Sequence, residues 1–156
     1  MNQLEEIFEL FDWNNSEEDQ VAGIALANQL DDFSALFQPL TDRYNKNVWG
    51  NCAVVLASKT DEQLSPYAMQ LFEWTADLNW PGAVTILERI KKISCGETFL
   101  SAAIASARQA EEEDDVSWKW WLSELLESEF FSNNLPKEIL VLLESYRLMR
   151  LADEDE

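Results

Sequence analysis

Apolar residues recur at intervals of three and four along nearly the whole chain, and only four glycines and four prolines interrupt them. That spacing puts them on one face of a helix rather than on alternate sides of a strand, so the chain reads as all-α. Leu4, Ile7, Phe8 and Phe11 form the first stripe, which stops in the polar run Asp12 to Asn15. Ser16, with Asp19 three residues on, opens a second helix expected to turn Val21, Ile24, Ala25 and Leu30 inward. A short apolar segment, Phe33 to Leu40, leads through the polar stretch Thr41 to Asn47 into a third helix over Val48 to Ser58.

Two later helices carry clear start signals. Ser65-Pro66 offers a capping hydroxyl followed by proline at the first helical position, where its missing N–H costs nothing, and that helix is expected to run to Asp77. Asn79-Trp80-Pro81 repeats the pattern before Val84, Ile86, Leu87, Ile90 and Ile93, with a stop at Cys95-Gly96. The short link between them predicts an antiparallel pair. Gly96 to Glu113 and Val116 to Ser128 predict a second pair across an acidic connector, and Pro136 to Arg150 a last helix. Successive hairpins of this length favour a stack of helical pairs over a closed four-helix bundle, as one all-α domain over residues 1–152 followed by an acidic tail at 153–156.

Charge changes the picture. Thirty acidic side chains face eleven basic ones, a formal net charge of −19 on a chain that is 47% hydrophobic. An acidic disordered tail lacks the apolar residues to build a core, so this composition describes a folded domain with a strongly negative surface. Such a field steers basic partners in and repels nucleic acid and anionic membranes. The imbalance is uneven: −7 over residues 1–60, −2 over 61–110 and −10 over 111–156. The start of the chain shows no basic region and no long apolar run, which predicts neither a secretory signal nor a membrane span and hence a cytoplasmic protein. Cys52 and Cys95 read as small buried apolar residues in a reducing compartment.

Histidine is absent, which removes the usual base near neutral pH, the commonest metal ligand and every Ser-His or Cys-His arrangement. Glu73 and Asp77 stand four apart on one helical face, but solvated pairs of this kind are ordinary. No glycine-rich phosphate loop, Cys-x-x-Cys pair or calcium-loop spacing occurs. No enzymatic activity, cofactor or metal is expected.

The run Trp74-Thr75-Ala76-Asp77-Leu78-Asn79-Trp80-Pro81-Gly82-Ala83, followed by Trp118-Lys119-Trp120-Trp121-Leu122, resembles a family of small bacterial HEAT-like helical domains. Members of that kind occur among the immunity proteins of polymorphic and contact-dependent toxin systems. The resemblance spans roughly residues 65–126 and implies a HEAT-like stack of hairpins and an immunity role, while transferring no catalytic set. Together with the charge it makes the expected function that of an acidic monomer neutralising a basic toxin domain, a nuclease by preference, in a 1:1 complex. The alternatives are a HEAT-like adaptor and a nucleic-acid mimic.

The candidate contact patch follows from the tryptophans. Trp118, Trp121, Leu122, Leu125 and Leu126 make one helical stripe and read as core, whereas Trp120 falls about 200° from Trp118, on the face of Glu124 and Glu127. Trp80 and Trp74 read as hairpin packing, and Trp13 and Trp49 lie near loops. An aromatic among carboxylates suits a binding anchor, so Glu111, Glu112, Glu113, Asp114, Asp115, Trp120, Glu124 and Glu127 form the expected partner-binding set.

Overall fold

The computed structural model describes residues 2–154, and among them the regular structure is entirely helical. The α-helices are α1 (Gln3–Phe11), α2 (Glu17–Ala27), α3 (Lys46–Ala57), α4 (Asp61–Leu64), α5 (Ala68–Trp74), α6 (Ala83–Lys91), α7 (Glu97–Glu113), α8 (Val116–Leu122), α9 (Glu129–Asn134) and α10 (Lys137–Glu154). Short 3-10 segments at Ser34–Leu36, Ser65–Tyr67 and Ser123–Glu127 complete it. Contacts divide the chain into two compact units, one of Met1–Lys59 with Leu78–Ile86 and one of Thr60–Asp77 with Leu87–Glu156.

In the first unit the expected Ser16 cap forms, its Oγ accepting from the Asp19 amide at 3.1 Å, and Asn2 Oδ1 caps α1 by accepting from the Glu5 amide at 2.8 Å. The inward face of α2 differs from the expected one. Val21 and Ala25 are exposed, and Gly23 and Ala27 are buried instead. The reason is close approach. A Cβ built on Gly23 would sit 2.9 Å from Leu10 Cβ and 2.9 Å from Phe11 Cδ1, so only glycine lets α2 come this near α1. Gly23→Ala is therefore expected to lower stability by about 1–3 kcal/mol through overpacking, although alanine is the better helix former. Denaturant midpoints would show it; a variant as stable as the parent would mean that the two helices simply separate.

Helix α3 buries Val48, Trp49, Cys52, Ala53, Val55 and Leu56. Trp49 donates its Nε1 hydrogen to the Pro39 carbonyl at 2.8 Å and meets Trp80 edge-on at 6.1 Å, which makes both structural. A polar lattice ties the 41–47 loop to the end of α1. Tyr44 Oη donates to Glu9 at 2.7 Å, Asn47 Nδ2 to Asp12 at 3.1 Å, and the Trp13 amide to the Asn47 carbonyl at 3.0 Å.

In the second unit the helix start lies earlier than Ser65. Thr60 and Gln63 form a reciprocal capping box before α4, and Ser65-Pro66 falls inside the 3-10 segment that links α4 to α5. Ser65 Oγ instead lies 2.6 Å from Thr98 Oγ1. Gly96, expected as a helix stop, is the residue before α7; its φ of 118° and a hypothetical Cβ 2.8 Å from the Phe99 ring both require glycine. Val84 of the first unit, part of the apolar run of α6, is exposed. The main neighbour of α5 is α7 rather than α6, because α7 presents the small residues Ala102, Ala103, Ser106 and Ala107 that let another backbone approach.

Helix α8 ends at Leu122 and tightens into the Ser123–Glu127 turn, where the Ser123 hydroxyl donates to the Trp120 carbonyl. Ser128 then caps α9, an element that the sequence pattern did not announce. The last helix continues four residues past Arg150 to Glu154, where an Arg150–Glu154 ion pair at 3.5 Å bridges one turn. Asp153 and Glu154 of the expected tail are thus helical, while Asp155 and Glu156 lie outside the described residues. Cys52 is buried, and that burial pushes its thiol pKa far up; Cys95 is exposed, contrary to expectation, and both are free thiols.

Candidate protein-interaction face

The expected patch separates into two groups, each organised around a lysine of the second unit. Glu111, Glu112 and Glu113 end α7, Asp114 closes it in the left-handed region at φ 49°, and Asp115 caps α8 by accepting from the Trp118 amide at 3.1 Å. Lys119 is buried beneath them. Its Nζ donates to Asp114 at 2.7 Å, lies 3.7 Å from Glu111, and sits 5.6 Å from the centre of the Tyr146 ring. Tyr146 Oη donates to Glu111 at 2.8 Å. The hydrogen bond that Lys119 donates to Asp114 holds its pKa above the ordinary lysine value, and burial together with Glu111 raises that of Tyr146. Glu111 and Asp114 are therefore part of the folded framework.

The second group surrounds Lys91, which reaches Glu124 at 2.9 Å, Glu127 at 3.1 Å and Glu88 at 3.2 Å. Burial opposes its charge, yet these carboxylates raise its pKa well above the usual lysine range. Glu124 also takes Arg150 at 3.1 Å, and the Arg150 guanidinium covers the Trp121 ring at 4.3 Å. Trp120 and Trp121 are both half-buried, so the expected contrast between an outward Trp120 and a core Trp121 does not hold. The core tryptophan of this helix is Trp118. The Nε1 groups of Trp118 and Trp120 are buried without a protein hydrogen-bond acceptor.

Acids at 111–113 run against local helix electrostatics. The C-terminal end of a helix carries partial negative charge, so carboxylates there are unfavourable, and α7 has no basic residue in its last turn. Lys119 accounts for Glu111, but Glu112 faces solvent and forms no ion pair among the described residues. The same surplus holds throughout the unit, which contains twenty acids and eight bases, a net −12. Six of those bases, Arg89, Lys91, Arg108, Lys119, Arg147 and Arg150, are engaged in ion pairs within the unit. The remaining carboxylates have almost no internal cations left to meet.

Adjoining hollows run across this face. One of about 550 Å³ is lined by Leu126, Leu140, Val141 and Leu148 with Ser132, Lys137, Glu144 and Ser145. The next, about 590 Å³, shares Leu126 and Glu144 with it and continues to Glu124, Glu127, Leu151 and Glu154. The sequence patch reaches this trough only through Glu124 and Glu127; Glu111 to Asp115 and Trp120 do not line it. Sequence reasoning missed the outer face of α10, where Val141 and Leu148 are 61% and 55% exposed, because apolar residues recur all round this helix and the pattern does not single out an outward stripe. The first unit has its own exposed aromatic, Trp13, held in a turn by the polar lattice of Asp12 and Asn47.

Among the described residues no cluster of three or more cysteine or carboxylate side chains is arranged to hold a metal, and no helix is long and apolar enough to cross a membrane. Glu73 is exposed on its helix and Asp77 lies beyond the end of α5. What the fold and this face define is an all-helical, strongly acidic protein. Residues 51–156 match the family described as a domain of unknown function (DUF5071), and the chain belongs to that family. No curated protein and no solved structure matches the chain significantly.

Proposed function

We propose that this protein is an acidic immunity protein, without enzymatic activity, that binds a basic toxin domain in the cytoplasm and neutralises it by direct contact. The single observation behind this reading is that the second unit spends six of its eight bases on internal ion pairs and still carries a net −12. A charge of that size costs self-repulsion, and a cationic partner is the economical reason to keep it. A nuclease is the preferred class of toxin, because a site that holds phosphates must itself be basic. The pairing of α1 with α2 and of α7 with α8 across short turns supports a stack of HEAT-like hairpins as the underlying architecture.

Affinity capture with the intact protein from its native cell, followed by identification of what co-elutes, tests the reading. A basic protein whose activity falls on adding the captured chain is the expected result. Association with it should slow steeply between low and physiological salt while dissociation changes less, since screening acts on long-range steering. A partner lacking a cationic surface, or an on-rate indifferent to salt, would overturn the proposal in favour of an adaptor.

A further inference from the structure

Helix α10 has two apolar faces, and the fold uses one of them. Ile139, Leu143 and Tyr146 are buried and follow the i, i+4, i+7 spacing of an inward stripe. Val141, Ser145 and Leu148 follow the same spacing on another face, with Leu151 one turn further along. Val141, Leu148, Leu151 and Met149 are all exposed. Such a stripe on a chain of charge −19 is a conspicuous use of apolar surface.

This stripe does not stand alone. It forms one wall of the 550 Å³ hollow, whose apolar lining is completed by Leu126 and Leu140. Through Leu126 and Glu144 the hollow runs into the second one, which carries Leu151 with Glu124, Glu127 and Glu154. From Val141 to Leu151 the trough follows α10 for about 15 Å at 1.5 Å per residue, the length of two to three turns of another helix.

Charge decides what lies in it. Of the bases that line the trough, Arg147 is held by Glu144 and Arg150 by Glu124 and Glu154, which leaves Lys137, at one end, as the lining base without an ion pair among the described residues. A second copy of the chain would bring another −19 against this unit's −12. A segment rich in lysine and arginine instead gains from the unit's net −12, and Glu127 and Glu154, although paired with Lys91 and Arg150, keep 65% and 59% of their side chains exposed to a further cation.

We propose that the α10 trough is a docking site for a basic amphipathic helix, whose apolar residues at i, i+3 or i+4 and i+7 pack on Leu126, Val141 and Leu148 while its flanking lysines or arginines meet Glu127 and Glu154. The inference rests on the reading of the protein as a binder of basic partners and names the surface and the partner element. It moves the apolar anchor from Trp120, which is half-buried, to the outer face of α10.

The test uses the full chain and a labelled synthetic 18-residue peptide with leucines on one helical face and lysines on its flanks. Two controls accompany it: the same composition scrambled so that no apolar face forms, and the amphipathic peptide with glutamate in place of lysine. Fluorescence anisotropy should show saturable binding of the first peptide, at least tenfold tighter than the scrambled one, and none of the acidic one. Val141→Gln with Leu148→Gln should weaken binding at least tenfold. Both sites are exposed and glutamine is a good helix former, so circular dichroism and thermal midpoint should be unchanged. Equal binding of the scrambled peptide, or an unaffected double variant, overturns the groove while leaving the basic-partner reading intact. Dimerisation of the free chain that the double variant abolishes also overturns it, by assigning the stripe to self-association. Failure of the native capture experiment would instead strike the functional reading itself.

Discussion

Truncating Trp118 to alanine is expected to destabilise the protein by about 3–5 kcal/mol, the range for removing a large buried aromatic. Trp118 is 2% exposed on α8, in the unit whose core also holds Leu122, Leu125, Leu143 and Tyr146. Its indole N–H is buried without an acceptor, which gives the prediction a second part. Trp118→Phe loses volume but also removes an unsatisfied donor whose burial costs about 1–3 kcal/mol, so its net effect should fall well below the alanine variant. Trp121→Ala should be milder than Trp118→Ala, since the Trp121 ring is half-buried beneath the Arg150 guanidinium and truncation there opens a surface depression. Urea denaturation of the three variants measures all of this. A phenylalanine variant as damaged as the alanine variant would show that the indole nitrogen has a partner after all.

That contrast also shows how far the sequence carries. A periodicity argument ranks residues by angle around one helix, and it found Leu4, Ile7, Phe8 and Phe11 as a stripe, three of which are buried. It failed on α2, because which face of that helix turns inward is decided by the absence of a side chain at Gly23, and glycine adds nothing to an apolar pattern. It misassigned Trp121 for a related reason. Its angle around α8 is that of an inward residue, but the side chain that covers its ring is Arg150 of α10, which no spacing within α8 can reveal. Cap residues were more legible, since Ser16 acts within its own turn. The Thr60-Gln63 box is equally local, but Ser65-Pro66 five residues on carries the more conspicuous start signal.

The candidate site was legible in its charge and illegible in its placement. Counting acids locates the surplus at the two ends of the chain, but not which carboxylates the fold consumes. Lys91 and Lys119 come from separate helices and collect Glu124 and Glu127, and Glu111 and Asp114. Those are tertiary contacts with no trace in local spacing, apart from the Asp114–Lys119 separation of five. The exposed face of α10 escaped for the opposite reason: its residues are as apolar as core residues, and only the packing of the other face identifies them as surface.

Replacing Asp61 by alanine should cost about 2–4 kcal/mol, because this partly buried carboxylate gathers groups from two other segments. Arg89 Nη2 donates to Oδ1 at 2.6 Å, and Oδ2 accepts from the Ser94 amide at 2.9 Å and the Ser94 hydroxyl at 3.3 Å. The two charged side chains are 13% and 12% exposed, so water replaces the lost partner poorly. Burial by itself would raise the Asp61 pKa, but the Ser94 amide and the Arg89 guanidinium outweigh it and hold the value below 3.8. The sign of the pH dependence follows. A carboxyl with a depressed folded-state pKa stabilises the fold above its unfolded value of about 3.9 and loses that contribution as pH falls through the lower folded value. The stability gap between the parent and Asp61→Asn should therefore be constant from about pH 7 to 5 and close below about pH 4. Asparagine retains the shape of the side chain and can still accept from Ser94, so the gap isolates the charge from the cavity that alanine adds. A gap that persists unchanged to pH 3 would mean that Asp61 acts through its hydrogen bonds alone, with the Arg89 pairing contributing nothing.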